Sequence, residues 1–190
     1  RKAAEQGLAQ AQYDLGGFYL NGWGVPKDAQ QAVAWYAKAA SRGMVQAMKD
    51  LGSIYEFGIA DKPDVSKATQ WFRMAANAGD DIAMIELADI LLQGRSVPET
   101  EREAAALYRR AAAKGLVGAQ YRLGVLYEQG RGVPMDVEAA YMWYTISETG
   151  WYDFDERKKA LSPVLTQAQI AEAERKAKEY LKAHPPMRAE

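Results

Sequence analysis

Cysteine is absent from the 190-residue chain and histidine occurs once, at position 184. The first absence removes disulfides, thiolate catalysis and the usual structural zinc sites. The second removes serine–histidine–aspartate triads and multi-histidine metal centres, so no cofactor is expected. Neither fixes the compartment. An excess of positive charge is also lacking: 24 Lys and Arg stand against 25 Asp and Glu, which leaves no general field for a polyphosphate backbone and argues against a nucleic acid partner. No apolar run approaches the roughly 20 residues that cross a bilayer. The opening RKAAEQGLAQ lacks the apolar centre of a signal peptide, and membrane insertion is not expected.

What the chain does have is a period. At an offset of 36 residues the same residue types come into register four times. Ala11, Ala47, Ala83 and Ala119 coincide, as do Leu15, Leu51, Leu87 and Leu123, and Gly22, Gly58, Gly94 and Gly130. Aromatic residues recur at Tyr36, Phe72, Tyr108 and Tyr144, and tryptophan at 35, 71 and 143 with Leu107 between them. Positions 11, 15 and 19 lie four apart, whereas 32, 35, 36, 39 and 40 follow the spacing of one face of a helix. Each unit therefore reads as helix, loop, helix. The Gly22 class closes the first helix, and Asp28, Asp64, Thr100 and Asp136 open the second as N-caps, with Gln31 and Glu103 at capping-box spacing.

The stretch NGWGVPKD, from Asn21 to Asp28, raises the question of a phosphate-binding loop. It recurs as FGIADKPD, QGRSVPET and QGRGVPMD, always between two helices and never after a strand. Two copies lose the second glycine and none is followed by Gly-Lys-Ser or Gly-Lys-Thr, so these loops are corners between helices.

The pattern A-x-x-x-L-G-x-x-Y-x-x-G-x-G-V-x-x-D, followed by A-x-x-W-Y-x-x-A-A-x-x-G, resembles the Sel-1-like repeat, a relative of the tetratricopeptide repeat, over residues 3–150 or so. The second unit departs from it, with Ala60, Asp61 and Lys62 in place of Gly-Val-Pro. The resemblance implies an all-α fold: a right-handed superhelical α-solenoid of helix-turn-helix repeats with a C-terminal capping helix. It implies adaptors that hold other proteins, often exported in bacteria, so a periplasmic or secreted location is expected, with the cytoplasm open. The boundaries expected are the tail of a truncated upstream repeat at 1–7, repeats at 8–43, 44–79, 80–115 and 116–150, capping helices over 151–184 and a tail at 185–190. Within the cap, Thr166 and Gln169 form a capping box for a helix whose Ile170, Ala173, Ala177 and Leu181 share one side. His184 falls in the frayed end.

Candidate chemistry is sparse. Asp80 with Asp81 sits where a helix begins, and Asp153, Asp155 and Glu156 lack the glycine turn of a calcium loop, so both groups are read as surface or capping residues. Trp35, Trp71 and Trp143 are expected in the core, with a cost of about 3–5 kcal/mol for Trp71→Ala. Trp23 stands apart in its loop, either an exposed anchor or locally packed.

By analogy with tetratricopeptide grooves, the inward positions of the first helices are Tyr13, Gly17, Leu20 and Asn21; Lys49, Ser53, Glu56 and Phe57; Ile85, Asp89, Leu92 and Gln93; Tyr121, Val125, Glu128 and Gln129. They mix apolar anchors with charges suited to a peptide or partner helix, and contain no basic cluster for a terminal carboxylate. The function expected is a non-catalytic interaction scaffold, a monomer or weak oligomer that binds another protein on the concave face. One version is an immunity or inhibitor protein for a toxin. The alternative is a module for cell-wall glycan (peptidoglycan) that uses Trp23, Tyr13 and other aromatics as sugar platforms.

Overall fold

The computed structural model describes residues 1–94, 97–148 and 155–185, and these are helical throughout with no strand among them. The helices are α1 (Lys2–Glu5), α2 (Ala9–Asn21), α3 (Ala29–Ser41), α4 (Val45–Phe57), α5 (Val65–Asn77), α6 (Asp81–Gln93), α7 (Pro98–Ala113), α8 (Val117–Gln129), α9 (Val137–Ser147), α10 (Asp155–Leu161) and α11 (Gln167–Ala183). The chain divides into two compact units, Arg1–Ala83 and Met84–Glu190.

In the first unit α2 pairs with α3 and α4 with α5, and α3 packs on α4. The stripe expected from the spacing is buried: Ala32, Tyr36, Ala39 and Ala40 on α3, and Ala68, Phe72, Ala75 and Ala76 on α5. Opposite the large ring of each second helix the first helix has a glycine. A Cβ at Gly16 would stand 2.7 Å from the Tyr36 ring, and one at Gly52 2.6 Å from that of Phe72. No side chain fits there, so the ring lies on bare backbone and the two helices approach closely. Gly22 and Gly58 close α2 and α4 in the left-handed conformation, while Asp28 and Asp64 accept from the Gln31 and Lys67 amides to open α3 and α5. Gln31 gives only this backbone amide; the reciprocal side-chain bond of a capping box is not formed there.

The second unit repeats the scheme at α8 and α9, where Gly124 faces the Tyr144 ring at 2.7 Å and Asp136 caps α9. The third pair departs from expectation. Thr100 is not the cap: Val97 holds that position, Pro98 occupies the first turn, and the Thr100 hydroxyl donates to the Val97 carbonyl. Proline preset for the first turn starts α7 early and shortens the loop, and Gly94 does not need the positive φ of its counterparts. Buried Gln120 donates to the Ala112 carbonyl at 3.3 Å, tying the end of α7 to α8, as Gln12 ties α1 to α2 through Ala4 at 3.1 Å.

The helix α11 opens on the expected Thr166–Gln169 capping box and packs Ala173 and Ala177 on α9. It covers Trp143, whose ring meets Tyr180 edge-on at 4.9 Å. His184 is not frayed: its ring stacks on Tyr180 at 4.3 Å.

The tryptophans need correction. Trp143 is buried, but Trp35 and Trp71 are only half-buried, on the flank of a stripe whose centre is alanine and the neighbouring aromatic ring. The core ring of the second repeat is Phe72, which is fully buried. Phe72→Ala is therefore expected to cost about 3–5 kcal/mol in urea unfolding and Trp71→Ala about 1–2 kcal/mol. Equal losses would contradict this assignment.

Candidate functional site

Sealing one side of each first helix against its aromatic ring leaves another side in contact with solvent. Several of the residues selected from the sequence touch that ring at its edge, as Tyr13, Asp89, Tyr121 and Glu128 do, and keep part of their surface in solvent. Tyr13, Lys49, Ser53 and Glu56 of the first unit are half-buried, as are Ile85, Asp89, Leu92, Tyr121 and Glu128 of the second. Trp23 and Phe57 are 65% and 69% exposed, which settles the loop tryptophan as an exposed side chain.

In the first unit Tyr13 and Trp23 line one cavity of about 290 Å³ with Asp14, Gly17, Phe18, Asn21 and Tyr36. The Tyr13 and Tyr36 rings are tilted against each other at 5.3 Å. The Tyr13 hydroxyl donates to Asp50 at 2.8 Å, bridging α2 to α4. Burial, then the Asp50 bond, pushes the Tyr13 pKa upward, and burial with the Asp50 charge carries Tyr36 up to about 12. Both remain neutral donors in any ordinary buffer. Lys49 Nζ lies 3.9 Å from Asp80, whose carboxylate accepts from the Ala83 amide at 2.7 Å, in keeping with a capping role. Phe57 lies outside this cavity.

The second unit has a cavity of about 380 Å³ that brings together Asp89, Leu92 and Tyr121 with Arg122, Arg131 and Arg157. This corrects the sequence reading, in which no basic cluster was visible. Each guanidinium pairs with a carboxylate: Arg122 with Asp89 at 2.8 Å, Arg131 with Glu101 at 2.9 Å, Arg157 with Glu128 at 2.8 Å. Asp89 also accepts from the Tyr108 hydroxyl, and Glu128 from that of Tyr144. Burial raises the Asp89 pKa against the opposing pull of Tyr108 and Arg122. For Arg157 burial lowers the pKa, and the Glu128 bond and charge outweigh it, so the guanidinium stays charged. Ile85 does not line this cavity.

Sequence reasoning missed Asp14, Phe18, Asp50, Arg122, Arg131 and Arg157. A signal existed for some of them, because the position after Tyr13 is charged in all four repeats, as Asp14, Asp50, Glu86 and Arg122. Arg157 lies beyond the periodic region and had none. Asp153, Arg95 and the side chain of Asp155 fall outside the described residues; Glu156 is exposed. Among the described residues no group of three or more His, Asp or Glu is arranged to hold a metal, and no helix is long and apolar enough to cross a membrane.

The hairpin frame can be set beside known proteins. The Sel1 repeat matches residues 9–44, 45–80, 81–116 and 117–147. The chain belongs to the Sel1 repeat family. Among curated proteins none matches it. Among solved structures it is similar to a protective antigen present in uropathogenic Escherichia coli strains, which displays an SLR fold: identity is 37%, the TM-score 0.80, and the match covers 97% of this chain and 40% of that one. It is also similar to a Sel1 repeat protein from Oxalobacter formigenes at 33% identity and a TM-score of 0.70, over 85% of this chain and 47% of that one. The chain thus spans less than half the length of either structure. Sel1 repeat proteins generally mediate protein–protein interaction and are typically non-catalytic scaffolds.

The raised Asp89 pKa gives a pH test. Its contribution to stability is fully present below the ordinary carboxylate value of about 3.9 and is lost as pH rises through the folded-state pKa. Asp89→Asn keeps an acceptor for Tyr108 and removes the charge. Its unfolding free energy is expected to gain on the wild type between about pH 3 and about pH 7. Urea titrations at the two ends check this, and a difference that stays flat or moves the other way contradicts it.

Proposed function

We propose that this chain is a non-catalytic scaffold that binds another protein through the open side of its first helices. The observation that carries the reading is the exposure of Phe57 and Trp23 at the ends of helices whose opposite sides, at Leu15 and Leu51, are sealed. Large apolar side chains held in water beside half-buried polar ones have the composition of an interface core with its rim. Tyr13, Lys49, Ser53 and Glu56 accompany them in the first unit, and Ile85, Asp89, Leu92, Tyr121 and Glu128 form the corresponding set in the second. Supporting the absence of catalysis, the tyrosine hydroxyls near the cavities keep their protons, the single histidine stacks on Tyr180, and Asp89 and Glu128 are committed to arginine and tyrosine. Capping of a toxin by such a surface would be one specialised form, and export to the periplasm or beyond belongs to the same proposal.

A second reading, a glycan module, draws on the cavity that Trp23 and Tyr13 share with Asn21. A photoreactive phenylalanine analogue at Phe57 separates the two in the native host. A discrete protein adduct from that position, and none from Gln70 on the exposed side of α5, is the result expected. Equal adducts from both positions, or retention on peptidoglycan without a protein adduct, would count against the scaffold.

A further inference from the structure

The four aromatic walls of the first-unit cavity are Tyr13, Phe18, Trp23 and Tyr36, and its rim carries Asp14. No basic side chain lines it. Asp14 accepts from the Gln10 amide at 2.8 Å, and Asp50, on the far side of Tyr13, accepts from the Tyr13 hydroxyl and the Gln46 amide, each at 2.8 Å. These donors are neutral. Neither carboxylate forms an ion pair among the described residues, so two acidic side chains flank the aromatic pocket without a counterion there. The ring faces add to this field, since an aromatic quadrupole is negative on its face and attracts a cation placed over it. Tyr13, donating its proton toward Asp50, is the richer in electrons for it.

We propose that this cavity takes a lysine or arginine side chain presented by the partner protein, a deepening that rests on the scaffold reading given above. At about 290 Å³ the space lies at or below the range of small-molecule pockets, about 300–1,000 Å³, and suits one long side chain. Phe18 and Trp23 are 44% and 65% exposed, so the apolar stem of such a side chain would cover surface that now faces water while its charged head meets Asp14. Gly17 keeps the cavity open: a Cβ there would stand 3.6 Å from the Tyr36 hydroxyl, and the other repeats carry Ser53, Asp89 and Val125 at this position. The preference is particular to this repeat. At the positions of Asp14 and Trp23 the fourth repeat has Arg122 and Arg131, so the common frame supplies the pocket and the local residues set its sign.

The probes are Nα-acetyl-lysine methylamide and its arginine counterpart, with the norleucine amide as the neutral control and an N-acetylglucosamine trimer as the sugar arm, read by the Trp23 indole N–H resonance. Saturable shifts with the two basic amides alone, weakened about fivefold or more in Asp14→Asn, are expected. Asp14 is exposed, so thermal melting of this variant should match the wild type. Equal shifts with norleucine, a response to the sugar but not to lysine, insensitivity to Asp14→Asn, or no shift at all would overturn the proposal. Phe57 lies outside this cavity: a surviving Phe57 protein adduct beside silent lysine probes would sink the cation pocket and leave the scaffold standing.

Discussion

An aromatic ring resting on the bare backbone of the neighbouring helix is the contact from which this structure is built. Tyr36 lies on Gly16, Phe72 on Gly52 and Tyr144 on Gly124, each so close that a β-carbon would overlap the ring. The close approach lets the flanking alanines of the second helix reach zero or near-zero exposure, and it fixes which way the first helix is turned. In the third hairpin the corresponding position is Ala88, and the Tyr108 hydroxyl reaches Asp89. With the ring seated on the glycine, Tyr13 and Gly17 border its edge and remain half-buried beside the cavity.

Much of this was legible in the sequence because the period is long and the packing local. The alanine and aromatic stripe of the second helices, the glycine ends of the first and the three aspartate caps are direct consequences of helix geometry. Trp143 is buried as expected, and the other two tryptophans depart from expectation for a physical reason. A helical stripe has a centre and flanks: Trp35 and Trp71 lie half-buried on a flank, whereas Trp143 is covered by α11. Thr100 misled because alignment by period assumes equal loops, whereas Pro98 sets its own helix start. The charged pockets were less legible still. Arg122 and Arg131 are neighbours of Asp89 only after α6, α7 and α8 have packed, and Arg157 comes from outside the repeats.

The two cavities show how a uniform frame carries unlike charges. The buried positions vary little from hairpin to hairpin, because each must satisfy the same ring and the same small residue. The open positions meet no such constraint, and they change from Asp14 to Arg122 and from Gly17 to Val125 without disturbing the hairpins. Variation of that kind changes the charge of the surface while the fold stays the same, as nearest-neighbour stacking of repeats allows.

Two glycines on α8 test the central contact directly. Gly124 faces the Tyr144 ring at 2.7 Å, whereas nothing stands within 4 Å of a β-carbon at Gly118. Alanine is the better helix former at both places, so Gly118→Ala should leave stability unchanged or raise it by up to about 1 kcal/mol. Gly124→Ala, forced against the ring, should lower it by about 1–3 kcal/mol. Urea unfolding of the two variants side by side decides the matter: a Gly124→Ala protein as stable as Gly118→Ala would mean that the ring-on-backbone contact does not hold the hairpin together.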